Sequence, residues 1–311
     1  MSRPTQLEAA ILATLAWYEL TAYPLTADEC WRFLFDPHGQ LPPCHPAEVR
    51  ATLDSLASSG FVCQDLGHWQ LTGSPPLLPE RQQRARWGIR KLRRAARAAR
   101  FLIHVPGVRL VALANTVALG VPRQESDIDL FLVTAAGQLY LTRLLVTTLV
   151  HLAGLRRHRS HVTDRLCLSF WLSEGALGLA PFRLPFDPYL ISWAARLVPL
   201  AERGAAYARF VAANTWVGRY LPNWPGFGAL PAATSVLEPK PPQALLRLAE
   251  YAARSLTLPH LRRFLGHHLL QPGSTSVVVT NDAIKTHTND RRADLAARYR
   301  ERLTELGLAV L

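Results

Sequence analysis

The apolar positions of this chain fall into three regimes. From Gln6 to Leu20 they recur at helical spacing. Thr26-Ala27-Asp28-Glu29 then has the form of a capping box ahead of Trp31-Arg32-Phe33-Leu34, and Val49, Leu53 and Leu56 mark one face of a third helix over 46–59, stopped by Gly60. Two short β-prone runs, Phe61-Val62-Cys63-Gln64 and His68-Trp69-Gln70-Leu71, flank Asp65-Leu66-Gly67 and predict a hairpin. Three helices followed by a hairpin spell a winged helix, closed by Pro75-Pro76.

In the second regime the pattern alternates. Val108 to Leu113 is β-prone, Asn115-Thr116 reads as a turn, Val117 to Gly120 opens a short helix and 127–133 is an apolar strand. A long helix over 138–154 leads through the basic loop Arg156-Arg157-His158-Arg159 to a further strand, Leu166 to Ser173. Strand, helix, strand, helix, strand is an α/β core. Beyond about residue 185 the strand signal fades. Helices are expected over 188–200, 205–220, 242–255 and 293–306, with a Pro/Gly-rich exposed connection over 222–242. The expected fold class is α+β: a winged helix over 1–75, a linker helix over 76–105, a mixed-sheet core over 106–184 and a helical C-terminal region over 185–311.

Composition narrows the setting. At 311 residues the chain can bury its own cores, and at roughly 100–200 residues per domain it should hold two or three. The most apolar helix candidate, 139–155, contains Arg143 and His151, which favours a buried helix over a membrane span, and no charged-apolar-cleavage pattern opens the chain. A cytoplasmic protein without a membrane partner is expected. Cys30, Cys44, Cys63 and Cys167 show no zinc-finger or paired spacing and read as buried thiols. The net charge of +12 points to an anionic partner, although only Lys91, Lys240 and Lys285 are lysines among 35 basic residues, as a skewed base composition alone produces. Nine of those basic residues, and no acid, fall within 81–100, a helix that could track a nucleic-acid backbone or simply be a solvated face. The third helix of the winged unit carries only Arg50, beside Glu48 and Asp54, so it is poorly equipped to grip DNA.

The candidate chemistry lies in Ser126-Asp127-Ile128-Asp129-Leu130. Side chains two apart on a strand share a face, so Asp127 and Asp129 are set side by side at the mouth of an apolar strand. Such a pair repels itself and is relieved by a divalent cation that takes oxygen ligands, Mg²⁺ above all. An ordinary turn before an edge strand, capped by Ser126 and Asp127, accounts for the same letters. Similarly, His287-Thr288-Asn289-Asp290-Arg291-Arg292 reads either as a helix cap or as His287 and Arg291 lining a cleft, and Arg143 and His151 lie on neighbouring faces of the long core helix.

Taken together, 108–133 resembles the signature of the polymerase-β-like nucleotidyltransferase superfamily: an apolar strand, a Gly-Ser pair, about ten residues, and Asp-x-Asp followed by apolar residues. Asn115-Thr116 stands at the pair position, ten residues before Asp127. The resemblance implies a nucleotidyltransferase core that moves an NMP from an NTP to a hydroxyl acceptor, with Asp127 and Asp129 as catalytic metal ligands for Mg²⁺ or Mn²⁺ and Asn115, Thr116 and Ser126 at the nucleotide. Two departures stand out. Asn115 replaces glycine, though asparagine best tolerates the left-handed backbone. The third carboxylate of active members has no counterpart, since Ser169 occupies the strand centre. Asp164 and Glu174 lie about 16 Å from it along an extended chain at about 3.3 Å per residue. The alternative implied is a catalytically degenerate nucleotide-sensing or nucleic-acid-binding regulator.

Overall fold

The structure, a computed structural model, describes residues 4–158, 160–224, 242–266, 269 and 274–308. Arg159 of the basic loop and most of the expected 222–242 connection lie outside the described residues.

The first regime folds as its pattern predicts. Thr5 and Glu8 form a capping box on α1 (Gln6–Glu19), and Thr26 and Glu29 form the expected one on α2 (Ala27–Arg32), each threonine accepting from the glutamate amide at 3.2 Å. Val49, Leu53 and Leu56 are the buried face of α3 (Pro46–Ser58). The hairpin β2 (Val62–Asp65) and β3 (His68–Leu71) turns at Leu66 and Gly67, both with positive φ, and β3 also pairs with β1 (Leu25–Thr26). This is the winged-helix arrangement, with strand order β1-β3-β2.

A six-stranded mixed sheet of order β7-β4-β5-β6-β9-β8 forms the centre. Its strands are β4 (Val108–Leu113), β5 (Ile128–Thr134), β6 (Leu166–Ser173), β7 (Val198–Glu202), β8 (Val277–Val279) and β9 (Ala283–Thr286). Only β5 and β6 are parallel, joined by the crossover helix α6 (Leu139–Leu152). The expectation that strands end near residue 185 is corrected here, because β7, β8 and β9 all come from the C-terminal region. All three are short, and β7 and β8 form the two edges of the sheet. Pro199 interrupts the first, and Val277-Val278-Val279 gives too brief a run to stand out from its surroundings.

Each face of the sheet buries a different set. Phe131, Phe170 and Leu172 join the core of the winged unit, α7 (Pro188–Ala195) and α10 (Arg292–Glu305), while Ile128, Leu130, Leu132 and Trp171 pack under α4 (Leu78–Leu102), α6 and α9 (Gln243–Leu265). Arg196 helps join the winged unit to the sheet: its guanidinium lies 4.6 Å from the Phe33 ring, 4.9 Å from Tyr23 and 5.5 Å from Tyr18. The basic helix α4 is less a linker than a strut. Ala95, Ala99 and Leu102 are buried against the sheet, Arg81 is bound to Glu29 of the winged unit, and Lys91 is wholly buried, whereas Arg86, Arg93, Arg97 and Arg100 remain exposed. The cysteines are free thiols, but only Cys30 and Cys167 are buried; Cys44 is half-buried and Cys63 exposed, because β2 beyond Val62 lies open to water. Among the described residues no helix is long and apolar enough to cross a membrane.

Candidate metal and nucleotide site

The site forms where β4 ends beside the start of β5. Leu113 pairs with Leu130, and the amide of Ala114 donates to the carbonyl of Asp129 at 3.0 Å, so the next residue must turn away at the level of the two acids. Asn115 makes that turn with φ of 50°, the left-handed conformation, and begins the helical turn α5 (Asn115–Ala118). Its side chain is held in place at the pocket wall: Oδ1 accepts from Trp193 Nε1 at 2.8 Å and Tyr189 Oη at 3.3 Å, and its amide donates to the Asp129 carboxylate. Asparagine thus supplies a left-handed bend and fixes the orientation of an acid as well.

Asp127 sits in the loop just before β5, and that loop is pinned. The Lys91 ammonium, reaching from the middle of α4, donates to the carbonyls of Gln124 (3.1 Å) and Ser126 (2.6 Å) and to Asp164 Oδ1 (2.6 Å). Ser126 Oγ accepts from the Arg123 amide at 2.9 Å, so the hydroxyl shapes the loop while the residue borders the pocket. Asp127 and Asp129 face the same space, as the period-two argument requires. They offer ligand atoms within 4.8 Å of each other and of Cys167 Sγ, and this cluster could hold a metal ion. Cys167 arrives because β6 runs parallel to β5 with Asp129 opposite Cys167. Sequence spacing could not reveal it, since 38 residues separate the two and the register alone brings them together.

The electrostatics are those of an uncompensated pair. Burial, and then the neighbouring Asp127 charge, push the Asp129 carboxyl up to about 7. Burial and the two carboxylates also push the Cys167 thiol well up, so it remains an S–H that donates to Asp129. Among the described residues Arg157 reaches the pair, its Nη1 at 3.2 Å from Asp127 Oδ2 and 3.8 Å from Cys167 Sγ, and its side chain is half exposed.

The C-terminal segment closes the pocket, a cavity of about 330 Å³ that Asn115, Thr116, Ser126, Asp127 and Asp129 share with residues from His287 to Arg292. Both readings of 287–292 hold in part. His287 and Arg291 both line the cavity, and the only cap-like bond of that segment is from the Arg292 amide to Asp290 Oδ1 at 3.0 Å. Burial, reinforced by Lys285, pushes His287 down to about 4, leaving a neutral imidazole whose Nε2 lies 3.3 Å from Ser169 Oγ. Neither expected stand-in for the third carboxylate reaches the pair. Asp164 is held by Lys91 and Arg90, and Glu174 by Arg209 and Arg109. Asp290 is the further acid of the cavity, and it lies outside the metal-capable cluster, bound to Arg292 at 2.7 Å. No family model matches the chain, and no curated protein or solved structure matches it either.

Proposed function

We propose that the chain is a Mg²⁺-dependent nucleotidyltransferase of the polymerase-β-like type, transferring an NMP from an NTP to a hydroxyl acceptor. The observation that carries this reading is the meeting of the Asp127–Asp129 pair with the left-handed bend at Asn115-Thr116 in one cavity. The donor set suits a hard cation: two carboxylates offer oxygen ligands, with the Cys167 thiol beside them. Such a cation, held by Asp127 and Asp129, would neutralise the triphosphate and polarise its α-phosphoryl group. Around it, the chain's own groups divide the work. Thr116 and the bend accept the outer phosphates, Asn115 and Cys167 aim the Asp129 carboxylate, and neutral His287 stands at the cavity wall as a proton acceptor for the incoming hydroxyl. Bond formation from that hydroxyl to the α-phosphorus expels pyrophosphate.

The test is transfer of label from NTPs labelled at the α-phosphate, with Mg²⁺ or Mn²⁺, to added acceptors or to the protein itself. Wild type should exceed Asp127→Asn/Asp129→Asn by at least a hundredfold, and equal transfer removes the enzymatic reading.

A second reading has its own support. Cys167 occupies the position beside Asp129, no third carboxylate joins the cluster among the described residues, and the exposed arginines of α4 offer a strip for phosphates. A degenerate core that senses nucleotide or binds nucleic acid would bind an NTP with Mg²⁺ and yield no pyrophosphate, and its nucleic-acid affinity would fall steeply with salt.

A further inference from the structure

Behind the carboxylate cavity lies a second cleft, of about 600 Å³, to which the transfer reaction above assigns nothing. It opens between α6, the 156–158 loop, the first half of β6 and α9, and its charge is of one sign. Arg143, Arg156 and Arg157 line it with His158 and His260, and no acidic side chain lines it among the described residues. The two clefts lie on opposite sides of β9 and its extension, since Lys285 and His287 face the carboxylates while Thr286 and Thr288 face the basic cleft.

Two features mark this cleft as built to receive a ligand. Arg143 Nε and Thr147 Oγ1, one turn apart on α6, are buried with no hydrogen-bond partner among the described residues, although both line the cleft. Arg143 is also crowded by Arg156, and burial together with that neighbour pushes its guanidinium down to about 10. Unpaired buried donors and adjacent like charges both cost stability, and one anion with several acceptor oxygens relieves both at once. The unsatisfied positions call for an oxygen-rich anion rather than a halide.

We propose that this cleft is a phosphate-binding site, separate from the triphosphate position at Asn115-Thr116, which anchors a phosphoryl group carried by the second substrate. Arg157 supplies the link: it lines the basic cleft and also touches Asp127, so a phosphate held there sits one guanidinium away from the acid pair. The role as an acceptor anchor rests on the transferase reading; the phosphate site itself does not.

Binding is measured by calorimetry at low salt with inorganic phosphate, pyrophosphate, and trinucleotides bearing a 5′-phosphate or a 5′-hydroxyl, each in the absence of metal. Phosphate or pyrophosphate should bind wild type at least tenfold more tightly than Arg143→Met/Arg156→Gln, and Asp127→Asn/Asp129→Asn should keep that affinity whether or not any transferase activity exists. Arg156→Gln alone, on a partly exposed loop residue, provides the same comparison should the buried Arg143 change disturb folding. A preference for the 5′-phosphorylated trinucleotide over inorganic phosphate identifies an oligonucleotide end as the source. Equal affinity for the two identifies a small phosphorylated molecule. Equal binding by wild type and the arginine variants, or displacement of phosphate by chloride at the same ionic strength, overturns the proposal.

Discussion

Around Asp187 the chain places a partner for the charge at close range. The carboxylate accepts from the amides of Leu184 and Leu190, capping α7, and meets Arg292 Nη1 at 2.8 Å, while Arg292 in turn is shared with Asp290, the carbonyl of Phe182 and Thr275. Around Asp127 and Asp129 it does the reverse, setting acid against acid beside a thiol, and among the described residues a half-exposed arginine answers one of them. Both arrangements bury acids in one protein. The first is closed by the chain itself and is architecture, whereas the second is a cluster that could hold a metal ion, as the proposed function requires.

The largest expected effect comes from breaking the closed arrangement. Arg292→Met leaves Asp187 buried without its cation and should cost about 3–5 kcal/mol, read as a lower urea midpoint. A loss below 1 kcal/mol would mean that Asp187 finds water instead, and the contrast would collapse. Next is the open pair. Mg²⁺ at a hundred times its dissociation constant should raise wild-type stability by about 2.7 kcal/mol, and Asp127→Asn/Asp129→Asn should show no such gain. The smallest effect concerns Lys285, whose ammonium donates to the Thr275 carbonyl at 2.8 Å and which burial and then the nearby Arg292 push down to about 7. Its proton is bound less readily in the folded chain than in the unfolded one, so the fold carries a penalty that is complete below pH 7 and fades as the pH rises toward 10.5. Lys285→Met removes this penalty but also the bond to Thr275 and the ammonium's contacts with the Phe170 and Phe182 rings, so its net stabilisation should be about 1 kcal/mol near neutral pH and progressively less in alkaline solution, as pH-resolved thermal melts would show.

What could be read from the sequence was what depends on near neighbours. The boxes at Thr26 and Glu29, the turn at Leu66-Gly67, the tolerance of Asn115 for a left-handed bend and the common face of Asp127 and Asp129 each follow from a few consecutive residues. The strand 166–173 was bounded correctly for the same reason, being a long apolar run between polar loops. The strands after residue 185 were not legible, because each is three to five residues long and exists only by pairing with an edge already formed. Within the site, Cys167 depends on parallel register and Arg157 on the return of a loop. The turning of the Asn115 side chain depends on Trp193 and Tyr189, more than seventy residues away. Distance in sequence, rather than weakness of the interactions, separates the readable half of the site from the rest. Arg143 and His151 show the same limit: they do border one common hollow, but the wall opposite is supplied by α9.

Lys91 joins two surfaces that a linear view keeps apart. Its ammonium moors α4 to the loop that bears Asp127, so the exposed arginines and the acids share one rigid connection. The same helix that shows its arginines to solvent thus holds, through one buried ammonium, the loop on which Asp127 sits.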